Sequence, residues 1–349
     1  MYFNQKGENL RGINNIIMFE GNDRNRFKIG DKDRAKLYDV IIKEYSNICG
    51  IVIVKEGNVV YRQSFNNYDM RTPIHVASLT KSILSALTGI AVAKGYIQSV
   101  RQKVISFFPG YEFKEENENR DKATVENLLN MTVPYSFLDY QEPLEAFSMS
   151  PDWVRFALEM IDQNGKLGTF KYSTEGAHLL SAILTSATGK STREFANEVL
   201  FRPIGMSEIK PHLLTASEMS FDTLFGEELK GWANDPQGIT TGGWGLTLTP
   251  DDMARFGLLY LNHGLWNGKQ IVPDAWVAAS GTANQNHYAY LWWQLAFGNI
   301  PAFAAMGDGG NIICCIPDKQ LVIAIASAFL MNPKDRCILI SEHILPIMN

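Results

Sequence analysis

Ser78 and Lys81 stand three residues apart in His75-Val76-Ala77-Ser78-Leu79-Thr80-Lys81-Ser82-Ile83-Leu84. On a helix that spacing puts both side chains on one face, so the amine can reach the hydroxyl. A serine beside a neutral lysine is a nucleophile with its base, the amine taking the proton as oxygen attacks a carbonyl. Neutralising a lysine costs roughly 4–5 kcal/mol and needs burial or a cationic neighbour. The residues that follow, Ile83, Leu84, Ala86, Leu87, Ile90 and Ala91, are apolar around most of a helix circumference. They predict a buried central helix from Lys81 to Lys94 that stops at Gly95. Ser78 then lies in the first turn, where free N–H groups and the positive helix end favour developing negative charge. The pattern itself is not decisive, because two ordinary residues at the start of an apolar helix would look the same. A second match, Ser207-Glu208-Ile209-Lys210, follows Phe201-Arg202-Pro203-Ile204-Gly205-Met206 in what reads as a loop, with nothing to bury its lysine.

The elements that must position Ser78 come from both ends of the chain. Gly50–Lys55 and Val59–Gln63 flank Glu56-Gly57-Asn58, a hairpin signal. Residues 100–230 read as mostly helical, with helix-period patterns over Asp152–Met160, His178–Ala187 and Thr192–Leu200. Thr249-Pro250-Asp251-Asp252 opens another helix, with Thr as N-cap, Pro at N1 and a carboxylate at N3. Asp251 and Asp252 therefore read as capping residues and not as a glycosidase pair. Late strands are expected at Ile312–Ile316 and Leu321–Ala326, joined by the turn Pro317-Asp318-Lys319, and the apolar run Leu321–Met331 as a whole reads as buried strand. The charged run Lys114–Lys122 reads as a solvated loop.

Composition narrows the class. The chain has 349 residues, 46% hydrophobic and 20% charged, enough for a large core in one two-part domain or two domains. A net charge of −5 argues against a nucleic-acid or anionic-membrane surface. Cys49, Cys314, Cys315 and Cys337 form no CxxC pair, and adjacent Cys314 and Cys315 would face opposite sides of a strand. The six histidines show no metal-ligand spacing, so no metal or other cofactor is expected, and His178 reads as a satisfied core histidine. The N-terminal MYFNQKGENLRG carries no apolar signal-peptide core, which makes a cytoplasmic location the default.

The surroundings of Ser78 resemble the serine β-lactamase and penicillin-binding-protein superfamily, most closely its class C-like branch with esterases, D-aminopeptidases and 6-aminohexanoate-oligomer amidases. The resemblance runs from HVASLTKSILSALTGIAVAKGYI through Lys122–Thr132, Gly168-Thr169-Phe170-Lys171-Tyr172-Ser173-Thr174 and Leu200–Met206. It continues through Gly242–Gly257 and ends at Gly307-Asp308-Gly309-Gly310-Asn311. It implies an α+β fold of β-lactamase type: an antiparallel sheet flanked by helices, with an inserted mostly helical lobe. Residues 1–85 plus 230–349 would form the sheet lobe and 86–229 the helical lobe, with the active-site cleft between. It also implies Ser78 as the acylated nucleophile, Lys81 as its partner and Tyr172 as the second acid/base group. The backbone N–H groups of Ser78 and Asn311 would hold the oxyanion. Thr174, Asp308, Gly309 and Gly310 would contact substrate.

Two positions depart from the family pattern. Thr174 replaces the usual Asn of Tyr-x-Asn, and Asp308 stands where a Lys or His usually meets a substrate carboxylate. A carboxylate there repels such a group, so a neutral or amine-bearing small-molecule substrate fits better than a penicillin. Thr132-Val133-Pro134 also differs, which predicts an unusual cleft wall around Tyr135 to Tyr140. The resulting reading is a metal-free serine hydrolase acting on an amide or ester. A class C-type β-lactamase and a penicillin-binding or ligand-sensing protein with little turnover are the rivals.

Overall fold

A computed structural model describes residues 29–138, 141–214, 229–282 and 284–348; the N-terminal stretch read for export signals lies outside them. Seven antiparallel strands form the central sheet. They are β1 (Ile48–Lys55), β2 (Asn58–Ser64), β3 (Tyr288–Ala289), β4 (Trp292–Phe297), β5 (Ile300–Gly307), β6 (Asn311–Ile316) and β7 (Leu321–Ser327). Their order is β2-β1-β7-β6-β5-β4-β3, so the first hairpin joins the last strand of the chain, with Val52 opposite Ala324. The sheet is therefore closed by both chain ends, as the strand signals implied.

Both faces are covered, which is why β1 and β7 read as continuous apolar runs and not as alternating ones. Val52, Val54, Cys315 and Val322 face one core together with α2 (Thr80–Ala93), α3 (Thr174–Thr188) and α4 (Pro250–Leu261). Ile51, Ile53, Cys314 and Ile323 face the other, under α1 (Asp31–Glu44) and the C-terminal helical turns. Cys314 and Cys315 thus point to opposite sides as expected, and both are buried. The apolar run leaves the sheet after Ser327, and Phe329, Leu330 and Met331 are exposed, so the buried strand is shorter than its hydrophobicity implied.

α2 is enclosed on nearly all sides, and its end matches the glycine stop. Gly95 has φ +77°, its N–H donates to Val92 O, and the Tyr96 N–H donates to Ala91 O, the two bonds of a Schellman cap. α4 opens as its capping signal predicts, with the Asp252 N–H donating to Thr249 Oγ1, and Asp251 is paired with Arg62.

The segment Lys114–Lys122 departs from its expectation. Glu118–Lys122 is a short helix capped by Asn117, and Arg120 is buried with its guanidinium 3.8 Å from the Phe113 ring centroid. Stacking lets an arginine leave water while staying charged, an outcome that charge density along the chain does not show. Among the described residues no helix is long and apolar enough to cross a membrane.

Candidate active site

The turn Ala77–Leu79 leads into α2 and carries Ser78. Its first bond runs from the Leu79 N–H to Val76 O, so the Ser78 N–H belongs to the end groups without an intrahelical acceptor. Ala77 has φ +48°, a conformation that costs energy for a residue with a Cβ and clusters at functional sites. Pairing of Ile74-His75 with Thr247-Leu248 brings the glycine loop 242–245 alongside. His75 Nε2 accepts the Gly245 N–H at 3.0 Å, and burial pushes the ring down to about 4, keeping it the neutral acceptor this bond needs.

Lys81 is 1% exposed and fully committed. Its Nζ donates to Ser78 Oγ at 2.9 Å, Thr174 Oγ1 at 3.2 Å and Gly243 O at 2.9 Å. It also lies 4.8 Å from the Tyr172 ring centroid. Gly243 can offer its carbonyl because it has no side chain: a Cβ there would sit 2.4 Å from Thr174 Cγ2. Gly242 is pressed equally close, 2.2 Å from Ala177 O. Ser207-Lys210 has none of this; Lys210 is exposed and paired with Glu208.

Thr174 opens α3 behind the N-cap Ser173 and is buried. Sequence reasoning gave it a substrate contact, but its hydroxyl faces inward, between Lys81 and a residue that reasoning missed. Glu142 Oε2 accepts the Thr174 hydroxyl at 2.8 Å, and Glu142 Oε1 accepts the Thr174 N–H. Next along α3, Glu175 is completely buried. Burial first, and the neighbouring Glu142 second, push its carboxyl up to about 8, so it is neutral at pH 7.

That shift links to stability. Glu175 binds a proton more tightly folded than unfolded, so its stabilising effect is complete below about 4.5 and is lost as pH rises toward about 8. Glu175→Gln is therefore expected to raise the melting temperature at pH 8 more than at pH 5, by the equivalent of about 2–4 kcal/mol. Melting curves at the two pH values test this; an equal change at both would refute it.

Tyr172 sits half-buried at the start of α3, stacked on Trp293 with centroids 5.8 Å apart and edge-on to Tyr288. Among the described residues its hydroxyl has no hydrogen-bond partner, which leaves it available to a bound substrate. Tyr135 is buried below it near Ser173 and Glu175, while residues 139 and 140 of the expected cleft wall lie outside the described residues.

The β5–β6 turn carries the third block. Gly307 is the point of contact with the Ser78 turn: a Cβ on it would lie 2.1 Å from Val76 O and 3.1 Å from Leu79 N. Backbone direction follows from strand alternation. The two-residue turn between Phe297 and Ile300 closes β4 on β5, so the polar groups of residues 300, 302 and 304 face β4. Those of 303, 305 and 307 then face β6, where Gly307 pairs with Asn311. The Asn311 N–H is thus turned into the ladder, contrary to its expected place in the oxyanion hole. The Asp308 N–H, antiparallel to the Gly307 carbonyl across one peptide plane, points to the edge that β4 has left. Asn311 instead braces the turn: its amide donates to His75 O and Asp308 O and accepts the Ser327 N–H.

The Asp308 side chain is exposed. Gly309 and Gly310, expected to contact substrate, pack on Ala328–Phe329 and on the Arg336 guanidinium, where a Cβ on Gly310 would lie 2.7 Å from Cζ. The strand edge nearest Ser78 is Ala305-Met306-Gly307, which carries no cation.

His178 lies between Phe147 and Trp153, and its Nε2 meets Asp235 Oδ2 at 3.1 Å. Its Nδ1 has no partner among the described residues, so there it is only half satisfied. Among the described residues no three His, Cys, Asp or Glu side chains converge as a metal site would.

The Beta-lactamase family model matches residues 42–340. The chain belongs to the β-lactamase family. Within this β-lactamase-like fold its solved neighbours are varied. A candidate 6-aminohexanoate-dimer hydrolase from Bacillus anthracis superposes with a TM-score of 0.71 at 22% identity, over 89% of this chain and 80% of its own. An octameric penicillin-binding protein homologue from Pyrococcus abyssi gives 0.67 at 20%, over 90% and 77%. EstCE1, a hydrolase with promiscuous acyltransferase activity, gives 0.67 at 15%, over 90% and 97%. No curated protein sequence matches the chain. At these identities the neighbours share the fold, and this β-lactamase-family chain has hydrolases and penicillin-binding homologues alike around it.

Proposed function

We propose that the protein is a serine hydrolase that cleaves a small amide or ester by two-step acyl transfer through Ser78. The observation that carries this is the buried Lys81 amine 2.9 Å from Ser78 Oγ at the start of α2. Ser78 Oγ attacks the carbonyl while Lys81 takes its proton. The oxyanion rests on the Ser78 N–H and, by the ladder argument, the Asp308 N–H. Tyr172, whose ring lies 4.8 Å from Lys81 Nζ, passes a proton to the leaving group, and water then releases the acyl group. In this reading the cleft lies between a sheet lobe of residues 1–85 plus 230–349 and a helical lobe of 86–229.

Substrate class follows from what borders the nucleophile. The apolar edge Ala305–Gly307 and the exposed Asp308 supply no partner for a substrate carboxylate and repel one. A neutral or amine-bearing acyl compound without a carboxylate beside the scissile bond fits. Penicillin turnover is expected to be weak.

Intact-mass labelling with a fluorophosphonate tests the reading on the native chain and on Ser78→Ala, followed by p-nitrophenyl acetate and nitrocefin turnover. The expected result is one adduct, absent in the variant, with repeated ester turnover and little nitrocefin cleavage. Rapid nitrocefin cleavage would make it a β-lactamase and overturn the role of Asp308; a stoichiometric adduct without turnover would make it a sensor.

A further inference from the structure

Three oxygens surround Lys81 Nζ at 2.9, 3.2 and 2.9 Å, one for each N–H that an ammonium offers. An ammonium cannot accept the Ser78 proton, so one proton has to leave Lys81 first. Of the three acceptors, Ser78 Oγ is the reacting atom and Gly243 O is a backbone carbonyl with no proton of its own to pass on. Thr174 Oγ1 alone both accepts from Lys81 at 3.2 Å and donates onward, to Glu142 Oε2 at 2.8 Å. An asparagine amide at that position would accept from Lys81 but could not hand a proton on in this way.

We infer that Glu142 holds the proton that Lys81 sheds, receiving it through the Thr174 hydroxyl, so that Lys81 Nζ, Thr174 Oγ1 and Glu142 Oε2 form a proton path. This rests on the serine-hydrolase reading above. In the transfer an Nζ–H bond of Lys81 breaks as a new Oγ1–H bond forms on Thr174. The original Oγ1–H bond breaks as an Oε2–H bond forms on Glu142. An ammonium and a carboxylate become a neutral amine and a neutral acid, with no change in net charge and no co-reactant. The amine then takes the Ser78 proton as Oγ bonds to the carbonyl carbon. Glu142 touches no reacting atom; it is a positioning residue that acts through Thr174.

The remaining titratable groups around the path are consistent with this. Tyr172 faces Lys81 across 4.8 Å, ring to cation. Glu175 and Tyr135 lie within reach of the Glu142 charge, and burial pushes both upward, toward their neutral forms.

The test is the rate of fluorophosphonate labelling of Ser78, followed by intact mass from acid to alkaline pH. It compares the full native chain with Glu142→Gln, Thr174→Val, Thr174→Ser and the double variant Glu142→Gln/Thr174→Val. Thr174→Ser keeps the relaying hydroxyl and is expected to keep the shape of the native pH profile, any loss of rate being equal at every pH. Glu142→Gln and Thr174→Val are each expected to lose roughly 100-fold at neutral pH and to recover at alkaline pH, where solvent hydroxide can strip Lys81. The double variant is expected to lose no more than either single one, because both cut the same path. A purely structural role would lower the rate equally at every pH. An unchanged profile for Glu142→Gln, or a pH-independent loss, overturns the relay alone. Should Glu142→Gln fail to fold, the contrast between Thr174→Val and Thr174→Ser decides the same question. A native chain that does not label at Ser78 overturns the hydrolase reading and the relay with it.

Discussion

Lys81→Met is expected to lower kcat/KM for ester hydrolysis by roughly 10⁴-fold or more, close to the loss from removing the nucleophile itself. Methionine fills similar space with an unbranched chain, so the expected loss is chemical and not steric. It removes the amine bonded to Ser78 and takes from Thr174 Oγ1 and Gly243 O the donor that Lys81 supplies. Leaving these groups unpartnered costs about 1–3 kcal/mol, offset by no longer burying a charge. Fold stability should therefore change far less than activity. Steady-state turnover and a melting curve on the same sample check this, and turnover within tenfold of native would sink the role of Lys81.

Gly307→Ala should be nearly as damaging for a different reason. Gly307 is extended, with φ −141°, so alanine is conformationally acceptable there. The added methyl, however, would meet Val76 O at 2.1 Å and Leu79 N at 3.1 Å, both backbone atoms of the nucleophile turn. Backbone cannot swing aside as a side chain can, so either β5 or the turn must shift by an ångström or more. The Ser78 and Asp308 N–H groups would then no longer converge. Loss of one oxyanion donor corresponds to about 10²–10³ in kcat, and the crowding to about 1–3 kcal/mol of stability. If Gly307→Ala retains native turnover, β5 does not press on the nucleophile turn as described.

What the sequence disclosed follows what its patterns encode. The first hairpin, α2 with its glycine stop, the capped start of α4 and the late strands all carry local period or turn chemistry, and each appears within a few residues of its expected place. The Ser78–Lys81 contact was legible because three-residue spacing brings the side chains together and a buried apolar helix follows, which the second match at Ser207 lacks. Glu142 was not: it lies in an aperiodic stretch beside Pro143, and only the folded chain brings it to Thr174 across 32 positions of sequence. Asn311 failed for another reason. Counting along a motif locates a residue, but which way its N–H points depends on the register set by the turn between β4 and β5. Arg120 shows a third limit, since a charged residue can be buried by one ring that the charge pattern does not reveal.

The pairing of β1 with β7 has a consequence for how the chain is made. Residues near 50 find their sheet partners near 325, so β1 leaves the ribosome long before the strand that covers its edge. Until then its apolar backbone edge is open to other chains. The Ser78 turn also lacks the floor that Gly307 and Asn311 provide. A nascent chain, or one interrupted before Ser327, would be a sticky intermediate with an unsupported Ser78 turn, so the finished Ser78 site and protection from aggregation arrive together with the last strand.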